Sequence, residues 1–297
     1  MNSKSLKEEN RVKYIANFDY EQCLARRTHY SLDIVKQWDW TVLWIEGCSY
    51  NLDWYSKEYL SFVNEFRSIQ SLPSNCEKVF WWGKFKNIEK EREFNSKLMA
   101  LQCKNELNIN FLSEEVFSQK KEYLGHHYLR DNLGFAGKGS QIFAHKPKNI
   151  NQLKIYLVAP YITKKIDFST WSNGEDHFIY KNIVSRNGQY IGTKIDESDF
   201  QKSILKKTNE MDDRIRQWYI EQGADNTFGI DYFLYQDQVI FCEVNYRKTM
   251  GYIANKLKNI IAPRAKEFYF STQPSMKVQS KLISSPYCPI KWYVSHS

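Results

Sequence analysis

Asp231, Glu243, Asn245 and Arg247 bring three oxygen-bearing side chains and a guanidinium into one short stretch of chain. The run 239–244 reads as a strand, so Glu243 and Asn245, two residues apart, point to the same face. Asp231 lies on the preceding apolar run, 228–234. The turn Tyr235-Gln236-Asp237-Gln238 folds the two runs into an antiparallel pair. Three hard oxygen donors then converge on one point, a set suited to Mg2+ held between carboxylates and nucleotide phosphates. Glu-x-Asn by itself is also what an ordinary solvated strand end contains, so this reading needs a second feature.

That feature is the loop 134–140, with Gly134, Gly137 and Gly139 around Lys138. Glycines let backbone N–H groups approach and wrap an anion. The loop matches neither Gly-x-x-x-x-Gly-Lys-Ser/Thr nor Gly-x-Gly-x-x-Gly. A short strand over 128–130 carries Arg130 into it. Upstream, Asn95-Ser96 are good capping residues and start a helix over 97–107 whose first residue is Lys97.

Strands are expected at 12–18, at 41–45 (nearly all apolar) and at 142–143. Further strands are expected at 155–158, ended by Pro160, and at 178–180 and 189–191, joined through the Asn187-Gly188 turn signal. Helices are expected at 55–69, with Tyr59, Phe62, Val63 and Phe66 on one face, at 113–123 after Ser-Glu-Glu, and at 210–222. Alternation of strands and helices in the N-terminal part suggests an α/β domain. The basic tail from Lys266 onward has no clear pattern.

Composition narrows the function classes. A chain of 297 residues, 42% hydrophobic, can bury a large core and is not disordered. Aromatic residues reach 16%, which favours an aromatic-rich core over ligand stacking; Trp81, Trp82 and Trp171 are read as core before acceptor pocket. Arg186 and His177 are read as solvent-exposed before substrate-binding or acid–base groups. The net charge of +8 favours anionic partners, but Lys and Arg are spread along the chain without a nucleic-acid motif, so nucleic acid is an unlikely primary partner. The 6 cysteines form no Cys-x-x-Cys pair and accompany no His cluster, which argues against zinc. A polar N-terminus without a signal segment implies a cytoplasmic protein with free thiols. No apolar run approaches the ~20 residues that span a membrane.

Taken in order, Lys97, the Arg130 strand, the glycine loop, the strand ending at Pro160 and the Asp…Glu-x-Asn-x-Arg series resemble the ATP-grasp superfamily, which includes D-alanine–D-alanine ligase and other carboxylate–amine ligases. The resemblance covers residues 95–255. Its most specific part is Glu243-Val244-Asn245-Tyr246-Arg247 with the Lys-Thr-Met-Gly that follows. It implies an α/β chain: an N-terminal α/β substrate domain (1–94) followed by a two-lobed α+β nucleotide-binding module. The first lobe (95–160) would hold the glycine loop, and the second (161–297) the metal site and tail. It implies ATP and Mg2+ as cofactors, with Asp231, Glu243 and Asn245 as metal ligands. Lys97 and Arg130 would bind phosphates, and Gly137, Lys138 and Gly139 would cover them. Val158 to Tyr161 would pair with adenine, Asp167 would meet the ribose, and Arg247 would clamp the transferred phosphate or acyl phosphate. Arg247, Lys138 and Arg130 are thus the implied catalytic residues. The implied reaction joins a small-molecule or peptide carboxylate to an amine. A kinase or other phosphotransferase, and a non-catalytic nucleotide- or nucleic-acid-binding protein, are the alternatives. Two departures stand out: Arg130 replaces the usual second lysine, and Ala159 stands where an acidic hinge residue is common.

Overall fold

The computed structural model describes residues 12–297 except 27, 29, 74, 135–139, 186–188 and 276–277, with only the backbone at Glu197. The described residues open with β1 (Val12–Ile15), α1 (Tyr20–Arg26), α2 (Leu32–Glu46), α3 (Lys57–Asn64) and β2 (Glu77–Phe80). Next come α4 (Ile88–Phe94), α5 (Lys97–Glu106), β3 (Glu115–Val116), β4 (His127–Asp131), β5 (Gln141–Phe143) and β6 (Tyr156–Pro160). The second half holds β7 (Ile166–Ser172), β8 (His177–Val184), β9 (Tyr190–Ile195), α6 (Lys202–Glu221), β10 (Phe228–Tyr235) and β11 (Gln238–Asn245). It closes with α7 (Met250–Ile261), β12 (Phe268–Ser271), β13 (Lys281–Leu282) and β14 (Tyr293–His296).

Among the described residues these strands form three sheets. β1 and β2 pair in parallel; β3-β6-β4-β5 form a four-stranded sheet; β11-β10-β7-β8-β9-β12-β14-β13 form an eight-stranded one. The expected β10–β11 hairpin is present. Gln236 and Asp237, at φ 48° and 59°, take the left-handed conformations of a two-residue turn whose twist matches its strands. Helix α6 starts earlier than expected, at Lys202, and lays Ile204, Ile215 and Tyr219 into a core with Phe228, Ile230, Tyr232 and Val244. The tail that the sequence left unassigned supplies β12, β13 and β14 to the large sheet.

Two expected elements are of another type, and a third is shorter. The run 41–45 lies inside α2, not in a strand. Trp40, Val42, Leu43 and Trp44 are fully buried, so this stretch has no polar face, and a short apolar run of that kind reads the same as a buried strand. Gly47, at φ 72°, ends the helix by returning its N–H to the Leu43 carbonyl. The run 113–123 is not a helix either. Ser113 adopts φ 52°, the Glu114 side chain is buried in ion pairs, and Glu115 pairs with Val158 as part of β3. The helix expected over 55–69 narrows to α3, capped by Ser56, whose side chain accepts the Tyr59 N–H.

The N-terminal elements pack on the C-terminal strands. One core joins Tyr20, Trp40, Trp44 and Trp81 to Trp171, Tyr252, Phe270 and Trp292. Trp44 Nε1 donates to the Ile283 carbonyl at 3.2 Å, and the Tyr59 hydroxyl donates to the same oxygen at 2.6 Å. The six cysteines are free, and no helix among the described residues is long and apolar enough to cross a membrane.

A buried acid in α2 gives this region a pH signature. Asp39, 0% exposed, accepts the Tyr50 N–H at 2.9 Å, the Tyr55 hydroxyl at 2.9 Å and the Ser49 hydroxyl. Burial pushes its carboxyl up to about 6 despite those hydrogen bonds. Raised in the fold, the group binds more protons there than in the unfolded chain. Its stabilising contribution is therefore complete below about pH 4 and lost as pH rises through about 6. Wild-type stability minus that of Asp39→Asn should fall across that window by on the order of 3 kcal/mol, read from denaturant midpoints at pH 4 and pH 7. A pH-independent difference would contradict this assignment.

Candidate functional site

The site is built on the face of β10 and β11 that turns away from α6. Asp231 and Glu243 are register partners, and Gly229 partners Asn245. The register shifts between Asp231 and Tyr232, so that Tyr232 faces Phe241 and Cys242 is the extra residue of a bulge. The bulge resets the alternation. Phe241 and Val244 both reach the α6 core, while Glu243 and Asn245 stay on the opposite face with Asp231.

A hydrogen-bonded chain holds these groups. Asp231 Oδ1 accepts the Ser169 hydroxyl at 2.7 Å, and Asp231 Oδ2 accepts Asn245 Nδ2 at 2.9 Å. Asn182 Nδ2 donates to the Ser169 hydroxyl at 2.7 Å. Arg247 Nη2 donates to Asn245 Oδ1 at 3.0 Å, and Arg247 Nε is ion-paired with Glu21 of α1.

Two cations meet Glu243. Lys97 Nζ lies 3.3 Å and Arg130 Nη1 3.1 Å from its Oε2. Lys97, at the first turn of α5, also donates to the Gly134 carbonyl at 2.5 Å, and Ser96 caps the helix by accepting the Met99 N–H at 3.1 Å. Behind them, Glu114 is paired with Arg130 and, at 2.5 Å, with Lys104. Burial works to raise the Glu114 carboxyl, but Arg130 and Lys104 outweigh it and hold it at about 2. The sequence reading missed both Lys104 and Glu114. Lys104 sits two helical turns after Lys97 on the same face, a spacing that would have flagged it. Glu114 was hidden in the wrongly expected helix.

The two facing carboxylates split in behaviour. Burial and then the Glu243 charge push Asp231 up to about 6. Glu243 is lowered, because Lys97 and Arg130 overcome its own desolvation. A buried carboxyl that faces a second carboxylate is a place where added positive charge would be favourable. The donor set there, two carboxylates and an amide oxygen, is the hard-oxygen type that Mg2+ takes, so these residues fit the ion.

A cavity of about 1030 Å3 joins the groups; Lys97, Arg130, Tyr161, Asp167, Asp231, Glu243, Asn245 and Arg247 all line it. Asp167 holds Lys164 at 2.8 Å. Of the expected adenine hinge, Ala159, Pro160 and Tyr161 reach the cavity, whereas the Val158 side chain is buried at 1% exposure in the core of the four-stranded sheet. Gly137, Lys138 and Gly139 lie outside the described residues, as do Arg186 and the Asn187-Gly188 turn; Gly134 and Ser140, which flank the loop, line the cavity. Trp81 and Trp171 are core residues, while Trp82 packs in the core and also lines the cavity. His177 sits 3.4 Å from Asp212 and takes no part.

The Lys-Thr-Met-Gly run has a local role. Thr249 caps α7 by accepting the Tyr252 N–H at 3.2 Å and shares a 2.9 Å hydrogen bond with the Tyr180 hydroxyl. Gly251 lies so close to the Tyr180 ring that a Cβ there would fall 2.0 Å from a ring carbon. Only glycine lets α7 approach that wall of the cavity.

No family model matches the chain, and no curated protein matches it. Solved structures match its fold. N5-carboxyaminoimidazole synthetase from Staphylococcus aureus aligns with a TM-score of 0.56 at 10% identity, covering 100% of this chain and 96% of that one. The same enzyme complexed with ADP aligns at 0.54 and 9% identity, covering 96% and 92%. Carboxyaminoimidazole ribonucleotide synthase from Aspergillus clavatus, complexed with ATP, aligns at 0.51 and 9% identity over 75% and 72%.

Proposed function

We propose that this chain, whose fold is that of the ATP-grasp superfamily, is an ATP-dependent ligase that activates a carboxylate as an acyl phosphate for attack by an amine. The observation that carries this reading is the convergence of Asp231, Glu243 and Asn245 with Lys97, Arg130 and Arg247 on one cavity. The similarity to enzymes solved with ATP and ADP supports it.

A carboxylate is a poor electrophile, and phosphorylation gives it a leaving group. The protein's part is then to place anions and neutralise charge. Mg2+, held by Asp231, Glu243 and Asn245, would neutralise the phosphates and orient them. Lys97 and Arg130, now shared with Glu243, are the cations for the phosphates. Arg130 offers a forked guanidinium where a lysine would offer a point charge. Arg247, fixed between Glu21 and Asn245, would meet the acyl phosphate. Adenine would pair with the backbone of residues 159–161, since Ala159 brings no acidic side chain, and Asp167 would meet the ribose. Lys138 and the glycines beside it would cover the phosphates and keep water from the acyl phosphate. The cavity lies at the upper end of the usual size for ligand sites, enough for a nucleotide and a second reactant.

The test is to supply pooled carboxylic acids and amines with MgATP and follow ADP, phosphate and condensed product. Equal amounts of all three are expected. A stable phosphorylated acceptor without condensation would make the chain a kinase, and no ADP from any pair would reject the reading.

A further inference from the structure

The bulge at Cys242 is gripped from outside the sheet. α5 packs against β11 and meets two successive residues of it. Lys97, in the first turn of α5, reaches the Glu243 carboxylate, and Lys104, two turns on, donates to the Cys242 carbonyl at 2.8 Å. The extra residue of a bulge is left out of the ladder, so its polar groups need partners from elsewhere. Lys104 is 4% exposed; its ammonium also donates to Glu114 Oε2 at 2.5 Å and lies 5.2 Å from the centroid of the Phe241 ring. Arg130 Nη1 holds the same two residues, donating to Cys242 Sγ at 3.4 Å and to Glu243 Oε2 at 3.1 Å.

The bulge decides where Glu243 points. Tyr232 faces Phe241, and that register continued without a break would set Cys242 opposite Asp231 and turn Glu243 and Asn245 towards the α6 core. Capping one stray carbonyl would take only a neutral donor, which is far less costly to bury than an ammonium.

The three cations differ in what a nucleotide would ask of them. Lys97 and Arg130 sit on the Glu243 carboxylate and would turn to phosphate oxygens. Lys104 is bonded to a backbone carbonyl and to Glu114, and neither of these is a partner a phosphate would take over. Once the other two have turned, Lys104 is the one of the three that still grips the bulge.

Building on the metal–nucleotide site of the ligase reading, we propose that Lys104 is a positioning residue: its hold on the Cys242 carbonyl keeps the bulge in place and Glu243 turned to the metal after Lys97 and Arg130 have gone over to the phosphates. It acts through the backbone and touches neither metal nor nucleotide.

The experiment titrates ATP into the full chain, with Mg2+ and with a chelator, for the wild type and for Lys104→Met. The unbranched apolar side chain fills the space beside Phe241 and leaves Glu114 paired with Arg130. The variant should bind MgATP about tenfold more weakly, the lower end of the loss for a group that orients a metal ligand, and chelated ATP within about twofold of the wild type. The ratio of the two affinities is read on folded protein, so a loss of stability alone does not move it. Equal weakening in both conditions would place Lys104 on the phosphates, and unchanged affinities in both would leave it a structural lysine; either result overturns the positioning role. If Lys104→Met does not fold, a crystal structure of the wild-type protein with Mg2+ and a non-hydrolysable ATP analogue carries the test. Lys104 Nζ should still donate to the Cys242 carbonyl while Lys97 and Arg130 contact phosphate, and Nζ bonded to a phosphate oxygen would overturn the role. A wild type that binds no MgATP would remove the ligase reading and this inference with it.

Discussion

Glu243→Ala is expected to weaken binding of MgATP by about 100-fold or more while leaving Mg2+-free ATP at least as well bound as in the wild type. Loss of outer-shell partners of metal ligands already costs about 10- to 100-fold, and Glu243, which faces Asp231, is proposed as a direct ligand. The second half of the expectation comes from the cations. Lys97 and Arg130 both contact Glu243 Oε2, so the carboxylate competes with phosphate oxygens for them. Removing it frees both for the nucleotide and relieves the charge that pushes Asp231 up. Isothermal titration with and without Mg2+ measures both quantities. A variant that retained the full Mg2+ dependence would show that Glu243 serves only as a counterion.

Arg130→Met should destabilise the fold by about 3 kcal/mol, the lower end of the cost of breaking a buried ion pair, because Lys104 still holds the other oxygen of Glu114. Glu114 is 6% exposed and Arg130 8%, so the remaining carboxylate has little access to water. Its carboxyl would rise from about 2, since Arg130 is the larger of the two favourable influences on it. Urea midpoints at constant slope give the loss. Adding Glu114→Gln to Arg130→Met should add to the loss, because Lys104, 4% exposed, would then stay buried without its carboxylate partner. A loss below about 1 kcal/mol in the single variant would mean that water or neighbouring side chains already screen the network.

The parts of the site that were legible in sequence are those set by short-range rules. The β10–β11 hairpin follows from alternation around Gln236-Asp237, although that register alone would set Asp231 opposite Cys242 and the bulge is what brings it to face Glu243. Lys97 follows from Ser96, whose cap fixes where α5 begins. The parts that were not legible depend on long-range packing. Residues 41–45 are apolar on every side because α2 is enclosed by both the N-terminal elements and the C-terminal strands, and an enclosed helix carries no period. Glu114 reads as a helix-start residue until Arg130 and Lys104 are placed beside it. The Cys242 bulge leaves no mark in a run of alternating and β-branched residues, yet it decides which face Phe241 takes. The link from Arg247 to Glu21 and Trp82 joins opposite ends of the chain, and nothing local in either segment announces it.

The ligase proposal requires that the Asp231–Glu243–Asn245 cluster hold a metal–nucleotide complex. Thermal unfolding of the wild-type protein in MgATP, in ATP with chelator and in Mg2+ alone decides it. MgATP present at about 100 times its dissociation constant should stabilise the fold by about 2.7 kcal/mol, and the other two conditions should give much less. Equal midpoints in all three conditions would contradict a nucleotide site built on these residues.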